Sequence, residues 1–183
     1  DYARERLDQS ELNREVRTAH AEHFLDLSGQ LFPGFDNPLS SEQLRRGWEE
    51  MENLQAAFNW FMRSDQITEA AYLARNVSQV LIAKGRASQA TRLLEQLDPA
   101  RIDPALAVGI ACRKAHAAIE SSLTEAARTA LDSVEDLVEK NADGSDLGYL
   151  MLRARVASRM RDPQASELYR RLLEGAESRG LWW

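Results

Sequence analysis

Two histidines, His20 and His23, stand three residues apart and could share one face of a helix near Asp26. A metal ion would need a third and a fourth ligand from elsewhere in the chain. The only other histidine, His116, has no obvious position beside this pair. The sequence therefore predicts no metal site, and it favours packing or a hydrogen bond to a neighbouring helix for both imidazoles.

Other reactive side chains also favour structural roles. Cys112 is the single cysteine, without the His–Asn pattern of a thiol enzyme, so we expect a small buried apolar side chain. Trp48 and Trp60 favour core packing over stacking on a ligand. An acidic cluster at 49–52 favours a solvated face or an ion pair with Arg45 or Arg46, because its carboxylates project from different faces of one helix. The members of that cluster are Glu49, Glu50 and Glu52. No phosphate-binding G-x-x-x-x-G-K-[ST] loop occurs, so we predict neither an enzyme nor a cofactor.

Composition narrows the class of protein further. The 183 residues carry a net charge of −6, which disfavours binding to DNA or to an anionic membrane. One cysteine excludes an internal disulfide framework, and no apolar run approaches the roughly 20 residues of a membrane span. No signal peptide opens the chain, and we expect a cytoplasmic protein. Because the first residue is Asp1, we expect a piece of a longer protein.

Apolar residues recur at steps of three and four almost throughout, which predicts helices. Nine glycines and five prolines are few, which argues against an all-β protein. Capping boxes are predicted at Ser40–Gln43 and Ser122–Glu125, and Asp–Pro pairs predict helix starts at Asp103 and Asp162. Eight helices are predicted, at about 10–31, 40–64, 66–83, 87–97, 104–120, 122–140, 146–160 and 163–178.

The predicted helices form similar pairs. The second helix of three successive pairs contains an alanine, then a large apolar residue four positions later, and then another large apolar residue three positions after that. These sets are Ala90-Leu94-Leu97, Ala127-Leu131-Val134 and Ala165-Tyr169-Leu172, and Ala56 with Trp60 continues the series backwards. The period of 34 to 38 residues predicts an all-α, tetratricopeptide-like superhelix of about four antiparallel helical hairpins. Lys114, at an apolar position, and Arg153, at a small-residue position, depart from it. A non-repeating helical bundle is the alternative.

The N-terminal third resembles a known family. Tyr2-Ala3-Arg4-Glu5-Arg6-Leu7 is followed by Arg17-Thr18-Ala19-His20-Ala21 and then by Glu49 to Trp60, which contains Asn53-Leu54-Gln55-Ala56-Ala57. This order is similar to the helical region after the ATPase module in bacterial signal-transduction ATPases with numerous domains, including transcription regulators of the SARP and LuxR types. The resemblance covers about 1–97 and extends weakly to the end.

The resemblance implies a sensor or protein-interaction arm of a multidomain bacterial transcription regulator, with no catalysis of its own. Residues 1–9 would be the tail of a preceding module, and residues 10–183 the tetratricopeptide-like domain. Its partner would be a protein, a peptide or other domains of the parent chain, and neither nucleic acid nor membrane. The alternative is a stand-alone tetratricopeptide-like adaptor that binds a peptide segment. An all-helical enzyme is a third reading.

The repeat register also predicts a partner-binding groove. In a tetratricopeptide superhelix the first helix of each pair lines the concave face. The predicted groove residues are Tyr72, Arg75, Asn76 and Gln79 from the third helix, and Cys112, Arg113 and His116 from the fifth. Two guanidinium groups would suit a partner that carries carboxylates. A solvated face without a partner is the alternative.

Overall fold

A computed structural model describes residues 11–32, 39–140, 147–178 and Gly180 of the chain. Within these ranges it contains ten α-helices, one 3₁₀ turn and no strand, which confirms the all-α prediction. The helices are α1 (Glu11–Leu31), α2 (Ser41–Glu49), α3 (Met51–Arg63), α4 (Ile67–Ala83), α5 (Ala87–Leu94), α6 (Pro104–Glu120), α7 (Thr124–Asp132), α8 (Glu135–Lys140), α9 (Leu147–Arg159) and α10 (Ala165–Ser178), with the 3₁₀ turn at Pro99–Arg101. The predicted tail at 1–9, the Pro-rich stop at 33–38, the turn at 141–144 and the final tryptophans at 182–183 lie outside the described residues.

Side-chain caps begin several helices where the sequence predicts them. The Ser40 hydroxyl accepts a hydrogen bond from the Gln43 N–H at 3.1 Å, and the Gln43 side chain accepts one from the Ser40 N–H at 2.9 Å. The carboxylate of Asp103 accepts from the N–H two residues later at 2.9 Å; Asp162 makes the same bond at 2.8 Å, but α10 begins only at Ala165, two residues after the predicted start. These acceptors satisfy N–H groups that the first turn of a helix leaves without a partner.

The predicted capping box at Ser122 is wrong. Ser122 has a φ of 60°, and α7 begins after Leu123 without a side-chain cap. The N–H of Leu123 donates to the carbonyl of Ala118 at 2.8 Å, which closes a Schellman motif at the end of α6. The same motif, with a left-handed residue at its centre, recurs after α3, α4 and α9. Its central residues are Asp65, Gly85, Ser122 and Arg161.

Two helices that the sequence predicts as continuous are broken. The helix predicted over 40–64 divides at Glu50 into α2 and α3, and the one predicted over 122–140 divides after Asp132 into α7 and α8. The first break accompanies close packing of Gly47, where a Cβ atom would lie 2.5 Å from Cζ of Phe32. At the second break, Arg153 of α9 bonds to carboxylates on both sides. Neither break contains glycine or proline, so local sequence gives no warning of it.

The helices pair as hairpins and stack in series. The hairpins are α1 with α3, α4 with α5, α6 with α7, and α9 with α10, while α2 packs against α4. Their first helices, α1, α4, α6 and α9, also contact one another in chain order, and each second helix contacts the next first helix. This is the nearest-neighbour packing of a helical-repeat fold.

The small residues of the repeat lie where hairpins meet. Ala90 and Ala127 are fully buried, as the alanine spacing predicts, whereas Ala56, which the spacing also selects, is exposed and its neighbour Ala57 is fully buried instead. Ala165 is only half-buried, and Tyr169 of the same set is exposed. Among the described helices α10 packs mainly against α9, and no other described hairpin covers its other face.

Candidate partner-binding groove

The predicted groove follows the contact between α4 and α6. A Cβ atom added to Gly109 of α6 would lie 3.2 Å from Cδ of Arg75 on α4, and one turn further along Gln79 of α4 bonds to Arg113 of α6. Both contacts advance in the same direction along the two helices, so α4 and α6 run parallel, as first helices of successive hairpins do. We call the region around these contacts the α4–α6 seam, which includes Tyr72, Arg75, Asn76, Gln79, Gly109, Arg113 and His116, whereas Cys112 packs in the core cluster shared with α7 and α9.

Polar side chains bond across the interior of the molecule beside this seam. Asn76 Nδ2 donates to Oγ of Ser28 on α1 at 3.1 Å, and Asn76 Oδ1 accepts from Nε of Arg75 at 3.3 Å. Arg113 Nη2 donates to Oε1 of Gln79 at 2.7 Å. These bonds tie α1, α4 and α6 together and compensate the burial of polar groups.

Four of the predicted groove residues are consequently not open to a partner. Asn76, Gln79 and Arg113 are 4%, 9% and 3% exposed, and Cys112 is 2% exposed. The burial of Cys112 agrees with its interpretation as a small apolar side chain. The other three side chains face a neighbouring helix. The polar pattern of a single helix cannot show whether a side chain faces another helix or solvent.

Tyr72 and Arg75 form the accessible part of the seam on α4. Tyr72 is 42% exposed, and the guanidinium carbon of Arg75 lies 5.2 Å from the centre of its ring, a cation–π distance. Arg75 is half-buried, and burial lowers its pKa from the usual value for arginine. None of the described carboxylates forms an ion pair with Arg75, so it retains the capacity to bind an anion.

His116 occupies the α6 side of the seam, with its side chain 26% exposed. Burial lowers the pKa of His116 to about 4, and the positive charges of Arg113 and Arg155 act in the same direction, while Glu120 opposes them. The imidazole is therefore neutral at pH 7 and can act as one donor and one acceptor.

Two further residues that the sequence analysis did not single out belong to this region. Arg155 of α9 donates to Oε1 of Glu120 on α6 at 3.0 Å, and the same oxygen lies 3.7 Å from Nε2 of His116. The repeat register could have indicated Arg155, since α9 is also a first helix, but its partner became evident only from the packing.

The other candidates take structural positions. The His20 and His23 rings lie 4.7 and 5.0 Å from the ring of Phe24 on their own helix, but both histidines are exposed, so the structure does not place them in the core as the packing prediction expected. Glu49 pairs with Arg45 at 2.6 Å, which confirms the predicted ion pair. Both Trp48 and Trp60 lie half-buried against the larger core cluster. In the ranges that the structure describes, no three His, Cys, Asp or Glu side chains converge as a metal would require.

The described helices also lack a membrane span, since none combines sufficient length with a sufficiently apolar stretch. No family model matches the chain, and no curated protein or solved structure is significantly similar to it. The case for function therefore depends on the seam itself and on the motif resemblance of the N-terminal third.

Proposed function

We propose that this chain is a protein-interaction module whose α4–α6 seam binds an acidic segment of a partner. The observation that carries the proposal is Arg75, a half-buried guanidinium held over the ring of Tyr72 without a described carboxylate partner. A half-desolvated cation gains more from a carboxylate than one in open water does, and guanidinium binds carboxylate in a bidentate way. Tyr72 adds an exposed aromatic surface of the kind enriched at interfaces.

The rest of the seam supports an acidic partner. Arg113 contributes a second positive charge beneath the surface, and the neutral His116 adds no charge of either sign. The bonds Asn76–Ser28 and Gln79–Arg113 hold α4 and α6 in fixed positions, so little ordering would be needed on binding. The one thiol near the seam, Cys112, is buried, no described group of metal ligands lies there, and we propose no catalysis.

We further propose that the module serves as the sensor or interaction arm of a multidomain bacterial transcription regulator in the cytoplasm. The motif order of the N-terminal third and the helical-repeat architecture support this reading. The alternative is a stand-alone tetratricopeptide-like adaptor. The full-length gene separates the two, because a phosphate-binding loop encoded upstream of Asp1 would favour the regulator and a short gene without one would favour the adaptor.

Binding at the seam can be tested by selecting ligands for the purified chain from a random peptide library. We expect the selected peptides to be rich in Asp and Glu, and Arg75→Gln to weaken their binding about tenfold or more. Arg92→Gln is the matched control, because Arg92 is an exposed arginine on α5, away from the seam. Peptides without an acidic bias, or binding that Arg75→Gln leaves unchanged within twofold, would refute the seam as the working surface.

A further inference from the structure

A second concave site lies between the second and third stacked hairpins, away from Arg75 and His116. It is an apolar pocket of about 370 Å³, bounded by the turn that follows α5, by α6 and by the junction of α7 with α8. The volume falls within the range of small-molecule sites, roughly 300–1,000 Å³. Its principal side chains are Leu97, Ile102, Ile110, Lys114, Val134 and Leu137.

The pocket exists because both second helices stop early. The helix α5 ends at Leu94 and is followed by a 3₁₀ turn. The helical path is interrupted between α7 and α8 at Ser133. Small side chains on the facing helices, Ala107 and Ala130 among them, leave the space unfilled. A regular repeat would have placed longer helices and larger side chains here.

Lys114 distinguishes this pocket from a packing defect. It stands at a position of α6 where the repeat calls for an apolar residue, and it is half-buried. Among the described residues that line the pocket, Lys114 is the only one with a charged side chain. No described carboxylate forms an ion pair with its ammonium group. A lysine stem packs along apolar surface while its ammonium group stays accessible, so an anion bound in the pocket can pair with it.

We propose that this pocket binds a small amphipathic monocarboxylate, with its carboxylate against the Lys114 ammonium and its hydrocarbon chain against Leu97, Ile110 and Val134. A single ammonium group in the pocket matches a ligand with one anionic group. The apolar side chains of the remaining lining match an aliphatic hydrocarbon chain. A volume of about 370 Å³ suits a small molecule rather than an extended peptide, which needs a longer groove. The proposal is independent of peptide binding at the α4–α6 seam, because it uses other residues.

Decanoate is a suitable probe, measured by titration calorimetry at pH 7.5 below its aggregation threshold. We expect saturable binding of decanoate to one site and at least about tenfold weaker binding of decanol. Octanoate and hexanoate should bind about fourfold more weakly for each CH₂ group that they lack relative to decanoate. The chain-length dependence reports burial of the hydrocarbon, and the comparison with decanol reports the carboxylate contact.

Variants test the assignment to this pocket. Lys114→Met should weaken decanoate at least tenfold and leave decanol within twofold, while Ala130→Leu, which fills the pocket, should weaken both. Lys140→Met is the matched control, because Lys140 is exposed at the end of α8. Thermal melts of each variant establish that it is folded.

Three outcomes would overturn the proposal: no saturable decanoate binding, equal affinity for decanol and decanoate, or unchanged decanoate binding by folded Lys114→Met. Displacement of decanoate by the peptides selected at the seam would also count against it, because it would assign both ligands to one surface.

Discussion

Arg113 on α6 donates a hydrogen bond of 2.7 Å to the side-chain oxygen of Gln79 on α4, and both side chains are buried. The two residues occupy equivalent first helices of successive hairpins. Burial of a guanidinium is costly unless hydrogen bonds compensate it. The bond therefore fixes the position of α6 against α4, and with it the seam that we propose as the binding surface.

Loss of this bond should be measurable as a coupling energy. We expect Gln79→Leu to lower the free energy of unfolding by about 2–3 kcal/mol, because it removes an acceptor from a buried charged donor. Gln79→Glu should cost less, since it keeps an acceptor and adds the opposite charge. We expect the double variant Gln79→Leu/Arg113→Met to lower the free energy of unfolding, measured by urea denaturation, by less than the sum of the two single effects. The difference should be at least about 1 kcal/mol. Strict additivity would show that the bond contributes nothing to stability.

Gly47 is the point at which α2 approaches the core most closely. A Cβ atom there would lie 2.5 Å from Cζ of Phe32 and 3.1 Å from a methyl carbon of Val80. We expect Gly47→Ala to lower the free energy of unfolding by about 1–3 kcal/mol, because the buried Phe32 ring must move. Gly29→Ala is the control, since Gly29 is exposed on α1 and an added methyl meets nothing within 4 Å, and alanine should stabilise that helix by up to about 1 kcal/mol. Equal melting temperatures for the two variants would contradict the packing described here.

The helices and their order were predictable because helical periodicity, caps and breakers are local signals. The alanine spacing also predicted the contacts of Ala90 and Ala127, since small residues must recur wherever hairpins meet closely, but it was one residue off in the first hairpin, where Ala57 is buried and Ala56 is exposed. The breaks at Glu50 and after Asp132 were not predictable. Tertiary contacts accompany them, Gly47 against Phe32 in one case and the bonds of Arg153 in the other.

The site was predictable only in part. The repeat register brought α4 and α6 together and placed Tyr72 and Arg75 on an accessible surface. It did not reveal that Asn76, Gln79 and Arg113 are buried, because such side chains are mostly exposed and only the neighbouring helix shows otherwise. Lys114 was evident in the sequence as a departure from the repeat, but its pocket arises from the early ends of two helices.

His116 should make stability depend on pH. Burial and two neighbouring arginines lower its pKa to about 4 in the folded chain, against about 6.5 when unfolded. The unfolded state thus binds more protons between these values, so stability is full above pH 6.5 and falls as the pH drops towards 4. In urea denaturation at pH 7 and 4.5, His116→Gln should lose less stability on acidification than the parent chain, by an amount on the order of 2 kcal/mol. Identical losses would mean that His116 titrates normally in the folded chain.

Arg153 stands where the repeat calls for a small residue, and it bonds across the break between α7 and α8. One guanidinium nitrogen pairs with Asp132, and the other pairs with Glu135 at 2.5 Å. We expect Arg153→Ala to lower the free energy of unfolding by about 1–3 kcal/mol, because its side chain is only 19% exposed and both Asp132 and Glu135 lose a bond to it, although Asp132 keeps Arg128 at 3.6 Å.

Arg170 provides the matched control for Arg153. It also pairs with two carboxylates, Glu167 and Glu174, but along one helix and with a side chain 57% exposed. Such pairs contribute little because water screens both charges, and Arg170→Ala should cost less than about 1 kcal/mol. Added salt should reduce the small effect at Arg170 more than the larger effect at Arg153, because exposed pairs are screened more strongly than partly buried ones. Equal costs at the two positions, measured by urea denaturation at low salt, would mean that Arg153 is an ordinary surface charge and does not stabilise the break after Asp132.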